Sequence, residues 1–180
     1  MTYLTAVYGD DADDALFSAL LRLAEASGFS YAASDARGRL YRRAGAADVF
    51  FSETRGPCAL SCGADILILK RSARTMPRGR FGYIILSDEC APYIGKHADA
   101  GTVITCGINQ KSSVSVSSNA EAGVLMFIQR RIVSLSGETL EPQELCVPTR
   151  EGTHGYDAMA AVICCLILGG EYEKIKNIRI

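Results

Sequence analysis

Five short runs of this chain, Tyr3 to Tyr8, Asp48 to Ser52, Asp65 to Lys70, Tyr83 to Ser87 and Val103 to Cys106, are apolar along most of their length instead of alternating apolar with polar residues. Such a run is stable as a strand only when both of its faces are covered, which is the condition inside a parallel sheet. The first run passes through Gly9-Asp10-Asp11 into a helical pattern, with Leu16, Phe17, Leu20, Leu21 and Ala24 on one face and Gly28 as its C-terminal stop. The chain therefore starts as strand, turn and helix. Phe29 to Arg42 breaks around Ser34 to Gly38 and reads as a short hairpin or a strand with a loose loop. A short helical piece is expected near Ala91 to Lys96.

The pattern changes after Gly107. Ser113 to Ser117 alternates, Gly123 to Gln129 and Arg131 to Leu135 are strand-like, Ser136-Gly137-Glu138-Thr139 offers a turn, and Glu144 to Val147 returns. This half is expected to be antiparallel. Tyr156, Met159, Ala160, Ile163, Leu166 and Ile167 then recur at helical spacing, which predicts a helix with one core face, closed by Gly169-Gly170. An amphipathic turn from Glu171 to Ile178 ends the pattern. With 180 residues and no linker or repeat, one domain over 1–180 is the expectation.

Nineteen Lys and Arg against 20 Asp and Glu give a formal charge of −1, so no global field attracts nucleic acid or an anionic membrane. No apolar run approaches the roughly 20 residues needed to span a bilayer, and the first residues lack the basic region of a signal peptide. These features predict a cytoplasmic protein. The seven cysteines, at 58, 62, 90, 106, 146, 164 and 165, are an odd number in that setting, so reduced thiols are expected. Cys106, Cys146, Cys164 and Cys165 sit in apolar stretches and read as small buried hydrophobes. No spacing among them and the two histidines, His97 and His154, completes a zinc set, and no metal site is expected.

Three segments, taken in order, resemble the central, ATP-binding domain of the Mur ligases, the amide-forming enzymes of peptidoglycan synthesis. Leu4 to Ala15 stands where that family has a strand, a Gly-Thr-Asn-Gly-Lys-Thr phosphate loop and the first helix. Phe81 to Pro92, followed by Thr102-Val-Ile-Thr-Cys-Gly107, is similar to the family's later strands. Gly152-Thr-His154-Gly-Tyr-Asp-Ala158-Met-Ala-Ala161 is similar to the Gly-x-His-Asn segment opening its last helix, so His154 falls on a family position. The resemblance implies an α/β fold: a mainly parallel P-loop-like sheet with flanking helices, plus an antiparallel section in the C-terminal half. The family's amino-terminal and carboxy-terminal domains have no counterpart in this length.

A phosphate loop works by converging backbone N–H groups on phosphate, with a Lys on the β/γ oxygens and a Ser or Thr on magnesium. Aligned on Gly9, this chain has Ala12 at the second glycine, Asp13 at the lysine and Asp14 at the Ser/Thr. Asp10, Asp11, Asp13 and Asp14 gather carboxylates where a helix N-terminus would have drawn phosphate. Two like charges ~4 Å apart repel by about 4 kcal/mol at an effective dielectric near 20, so ATP with its magnesium is not expected as a cofactor. Helix capping, with Asp10 or Asp11 at the N-cap and Asp13 and Asp14 in the first turn, is the plain alternative. A magnesium or calcium site is the sharper one, although the spacing is not that of an EF-hand.

Lys70, Arg71, Arg74, Arg78 and Arg80 form a basic stretch with no acid between Asp65 and Asp88, leaving the carboxyl end of an expected parallel strand. Open α/β sheets bind ligands at that edge, and arginine suits carboxylate or phosphate. The stretch reads either as a site for a small anionic ligand or as a solvated loop whose charges balance Asp10 to Asp14. No catalytic residue is assigned. Together these readings favour a non-catalytic binding or regulatory protein, linked to envelope synthesis by the resemblance, with a protein partner or a second copy and without nucleic acid or membrane. The alternatives are a ligase-like subunit completed by a partner, or a scaffold that self-associates through the edge of the late antiparallel strands.

Overall fold

The computed structural model describes residues 1–55, 63–94, 99–120 and 123–180. The chain opens with β1 (Thr2–Gly9) and α1 (Ala15–Ala26) and divides into two compact units, residues 1–13 with 29–104 and residues 14–28 with 105–180. Its class is mixed α/β, with a large, mostly parallel sheet, antiparallel strands and flanking helices.

The first unit adds β2 (Ser30–Asp35), β3 (Gly38–Arg42), β4 (Asp48–Arg55), β5 (Ala64–Leu69), β6 (Arg80–Ser87), the single turn α2 (Ala91–Ile94) and most of β7 (Asp99–Gly107). The order is β7-β6-β5-β1-β4-β3-β2. β1 lies parallel to β4, with Thr2 opposite Asp48 and Gly9 opposite Arg55, and parallel to β5, with Tyr8 opposite Leu69. β5 is parallel to β6 in turn. The fully apolar runs thus occupy the centre, where strands are covered on both faces. Ala6, Tyr8, Leu67, Leu69, Ile84 and Leu86 form one core cluster with Ala73, Phe81 and Cys90. Since these four strands run the same way, Gly9, Arg55 and Leu69 all end at one edge.

Of the two readings of Phe29 to Arg42, the hairpin is the one that forms, and it extends the sheet with antiparallel strands. β2 and β3 form a hairpin whose turn is held by Asp35, its carboxylate accepting the N–H groups of Arg37 (2.8 Å) and Gly38 (3.1 Å). β3 pairs antiparallel with β4. Tyr31, Tyr41 and Phe51 make an edge-to-face ladder across β2, β3 and β4, with centroid separations of 5.9 and 5.6 Å.

The second unit holds α1, β8 (Val114–Ala120), β9 (Gly123–Ile128), β10 (Ile132–Val133), β11 (Thr139–Leu140), β12 (Gln143–Val147), α3 (Gly155–Ile167) and α4 (Tyr172–Ile175). β9 is antiparallel to both β8 and β12, while Cys106 and Gly107 at the end of β7 run parallel to Val114 and Ser115. The strand expected over 131–135 shrinks to β10, paired with β11 around a turn containing Gly137 at φ 87°. α1 packs on α3. The single core face expected for α3 is a full circumference: every residue from Tyr156 to Ile167 is buried, with Ala158, Ala161, Val162, Cys164 and Cys165 standing where a polar face would be and Asp157 buried as well. His154 caps this helix, its Nδ1 accepting the Tyr156 N–H at 3.2 Å.

The outer edge of β12 is capped at Cys146, near the end of the strand. The Tyr172 hydroxyl accepts the Cys146 N–H and donates to the Cys146 carbonyl, both at 2.9 Å. These bonds occupy the outward-facing backbone groups of Cys146, one of the ways natural sheets protect an unpaired strand. Among the described residues no helix is long and apolar enough to cross a membrane.

Candidate functional site

The carboxyl edge of the central strands brings Gly9, Glu53, Arg55 and Lys70 together. Lys70 follows β5 directly, and its N–H donates to the Tyr8 carbonyl at 2.7 Å, so it continues alongside the end of β1. Its side chain is turned inward and only 5% exposed. The ammonium lies 2.7 Å from Glu53 Oε1 and 3.5 Å from Asp11 Oδ1, and it donates to the Asp13 backbone carbonyl. Arg55 Nη2 stands 3.5 Å from Glu53 Oε2, on the far side of that carboxylate.

Gly9 makes this arrangement sterically feasible. A Cβ at that position would lie 2.6 Å from Lys70 Cδ, 2.7 Å from Lys70 Cβ and 2.9 Å from Ser72 Oγ. The lysine stem thus runs against the bare Cα of Gly9, and residues 10 to 13 close around the ammonium. The loop after Lys70 ties back by the Asp10 N–H to Ser72 Oγ (3.2 Å), the Arg74 N–H to Asp10 Oδ2 (3.0 Å) and Tyr8 to Thr75 through their hydroxyls (2.8 Å).

The capping expectation for these acids is corrected by this geometry. Asp10 is engaged with the loop at Arg74 and Asp11 with Lys70, and the helix begins only at Ala15. Asp14 is its N-cap residue but makes no side-chain cap hydrogen bond, and the first turn contains no acid. Nor do the acids assemble a metal set: among the described residues no three Asp, Glu, His or Cys side chains are grouped to hold an ion.

The five cations of the basic stretch do not form one patch. Lys70, Arg71 and Arg74 remain at the carboxyl edge, whereas the chain then crosses back so that Arg80 starts β6, with Phe81 opposite Ala64 at the amino end of β5. Arg78 goes with it. An open depression of about 550 Å³ lies at that amino end, lined by Leu4, Gly63, Asp65, Arg80, Gly82 and Gly101. Asp65 is already tied there to the Leu4 N–H at 2.7 Å. The depression lies at the opposite end of these strands from Lys70, where the organised charge is.

Glu53 and Arg55 have no place in the sequence reading, which ends that strand at Ser52. The signal was present: β4 runs on to Arg55, and two opposite charges at alternate positions follow the apolar Val49-Phe50-Phe51. Cys90 lies beneath the same loop, its thiol 3.7 to 3.9 Å from the carbonyls of Lys70, Arg71 and Ala73. Burial pushes this thiol above its ordinary value of 9.0, against the smaller lowering influence of Arg74 and Arg71. A folded-state value above the unfolded one adds stability below about pH 9 and loses it as pH rises further. Cys146, expected to be buried, is exposed because it stands on the edge strand β12. Iodoacetamide at pH 8 should therefore label Cys146 in the native protein and reach Cys90 only on unfolding, as read by peptide mass mapping; equal labelling rates would contradict this placement. Cys58, Cys62 and His97 lie outside the described residues.

No protein-family model matches the chain, and no curated protein matches it. Among solved structures it is similar to a murein peptide ligase from Psychrobacter arcticus, with a TM-score of 0.59 and 10% sequence identity over 96% of this chain and 45% of the ligase. The chain thus has a Mur-ligase-like fold and spans less than half the length of that ligase.

Proposed function

We propose that this chain is a Mur-ligase-central-domain-like binding or regulatory module whose nucleotide loop has been rebuilt around an internal cation, so that it carries no ligase activity of its own. One observation supports the reading above others: residues 9 to 13 present a carbonyl and a carboxylate to the Lys70 ammonium. A loop that cradles phosphate does the reverse, directing N–H groups at an anion. The site is thus complementary to positive charge and already filled by it. The fold resemblance links the module to the cell envelope by analogy, since a fold can host unrelated activities.

The test is a thermal melt of the whole chain with ATP, ADP and magnesium. A nucleotide at 100 times its dissociation constant would raise stability by about 2.7 kcal/mol. The expected result is an unchanged Tm at millimolar nucleotide; a saturable rise with ATP and magnesium would overturn the reading.

A further inference from the structure

Residues 172–180 run along the outer edge of β12 and its continuation. In an antiparallel ladder the N–H and C=O of one residue face the same side, and those of the next residue face the other. Tyr172 bonds both groups of Cys146, so Cys146 faces outward, and Glu144 and Pro148 face outward with it. Pro148 has no N–H, and its carbonyl accepts the Ile180 N–H at 3.1 Å. Beyond it the Arg150 N–H donates to the Ile180 carbonyl at 2.6 Å, and Arg179 Nε donates to the Thr149 carbonyl at 3.0 Å. From Cys146 onward the edge is thus met by residues 172–180, while Glu144, the outward residue before it, is exposed.

We infer that residues 172–180 are a latch that keeps β12 from pairing with β12 of a second copy. The Tyr172 hydroxyl accepts one bond and donates one, which is what a facing residue does in the hydrogen-bonded pair of an antiparallel ladder. It is a one-residue substitute for a strand. The latch is held at two apolar points, Ile175 and Ile180, at 0% and 2% exposure, while Glu173, Lys174 and Asn177 are exposed. A segment with so few buried anchors opens at lower free energy than the core strands. Once it is open, a two-fold axis through Leu145 sets Glu144 of each copy opposite Cys146 of the other, and their outward N–H and C=O groups match. In that register each Glu144 faces a neutral residue and not the other Glu144. Pro142 and Pro148 stand at equal spacing on either side of Leu145 and lack the N–H groups that would lengthen the pairing, so it stops at the 5 residues of β12. This symmetric limit fits a second copy, whose own strand stops at the same points. A strand of that length offers far less than the roughly 20 to 30 residues a side of a stable interface, so the dimer is weak and forms only at high concentration.

The test compares the full chain with Tyr172→Phe and Tyr172→Ala, isotope-labelled, by amide exchange and sedimentation from micromolar to millimolar concentration. In the native chain, exchange over β12 should not depend on concentration. Tyr172→Phe keeps the ring and loses the hydroxyl, so the Cys146 amide should exchange at least about tenfold faster without dimer formation at β12. Tyr172→Ala clears the edge, and it should dimerise as concentration rises while the Glu144 and Cys146 amides become slower to exchange. Adding Glu144→Pro removes an outward donor without touching the ladder to β9, and should return the alanine variant to the native mass. Retained amide dispersion separates an opened latch from a lost fold. A native dimer through β12, an unchanged Cys146 amide in Tyr172→Phe, a Tyr172→Ala chain that is unfolded or does not dimerise at millimolar concentration, or association that survives Glu144→Pro would each overturn the inference.

Discussion

Lys70→Met should destabilise the protein by about 3 to 5 kcal/mol, the range observed when one member of a buried ion pair is removed and the other is left behind. Here the residue left behind is Glu53, whose side chain is only 15% exposed, together with a loop that loses its central contact at Asp11 and Asp13. The double variant Lys70→Met with Glu53→Leu should regain most of the loss, since apolar replacement of both partners removes the uncompensated charge. Urea unfolding with a constant m value measures both. A loss under about 1 kcal/mol for the single variant would mean that the pair is solvated and that the loop does not depend on it. The same experiment bears on function, because a loop organised by Lys70 should gain amide exchange over residues 10 to 13 when the ammonium is removed.

Gly9→Ala should cost about 2 kcal/mol, within the range for overpacking a close contact. The backbone there is not in the left-handed region, so the penalty arises from contact and not from a conformation that only glycine adopts. The new methyl group would meet Lys70 at both Cβ and Cδ, and relief requires moving the lysine stem and with it the ammonium. In a Lys70→Ala background the Cδ contact is gone while those at residue 70 Cβ and Ser72 Oγ remain, so the cost of Gly9→Ala should fall in part. A double-mutant cycle reads that coupling directly. Additive effects would show that Gly9 is glycine for some reason other than the passage of Lys70. Its open Cα admits a side chain of the same protein.

Strands and helices were legible where residue spacing reports burial locally. The continuous apolar runs at Tyr3 to Tyr8, Asp65 to Lys70 and Tyr83 to Ser87 mark β1, β5 and β6. The recurring apolar positions after Gly152 mark α3, although their spacing understated its burial, because Ala158, Ala161, Val162, Cys164 and Cys165 fill nearly all the remaining positions and bury with them. The hairpin of β2 and β3 was only half legible. Its turn is written in Asp35 and Gly38, but its exposed residues have too little apolar character to declare a strand.

The candidate site was less legible than the fold. The acids at 10 to 14 and the cations from 70 to 80 stood out as charge runs, and charge composition is a property of the sequence alone. Which charges meet depends on strand order. β4 and β5 flank β1, and this places Glu53 and Lys70 beside Gly9, while the return from Leu69 to Arg80 separates two arginines from the rest. Spacing along the chain therefore determined the elements and their periodic burial, because those follow from the local geometry of strand and helix. Tertiary structure alone decided that Lys70 faces inward, that Glu53 is its partner and that Tyr172 covers Cys146 on the edge of β12, because each results from contacts between segments far apart in sequence.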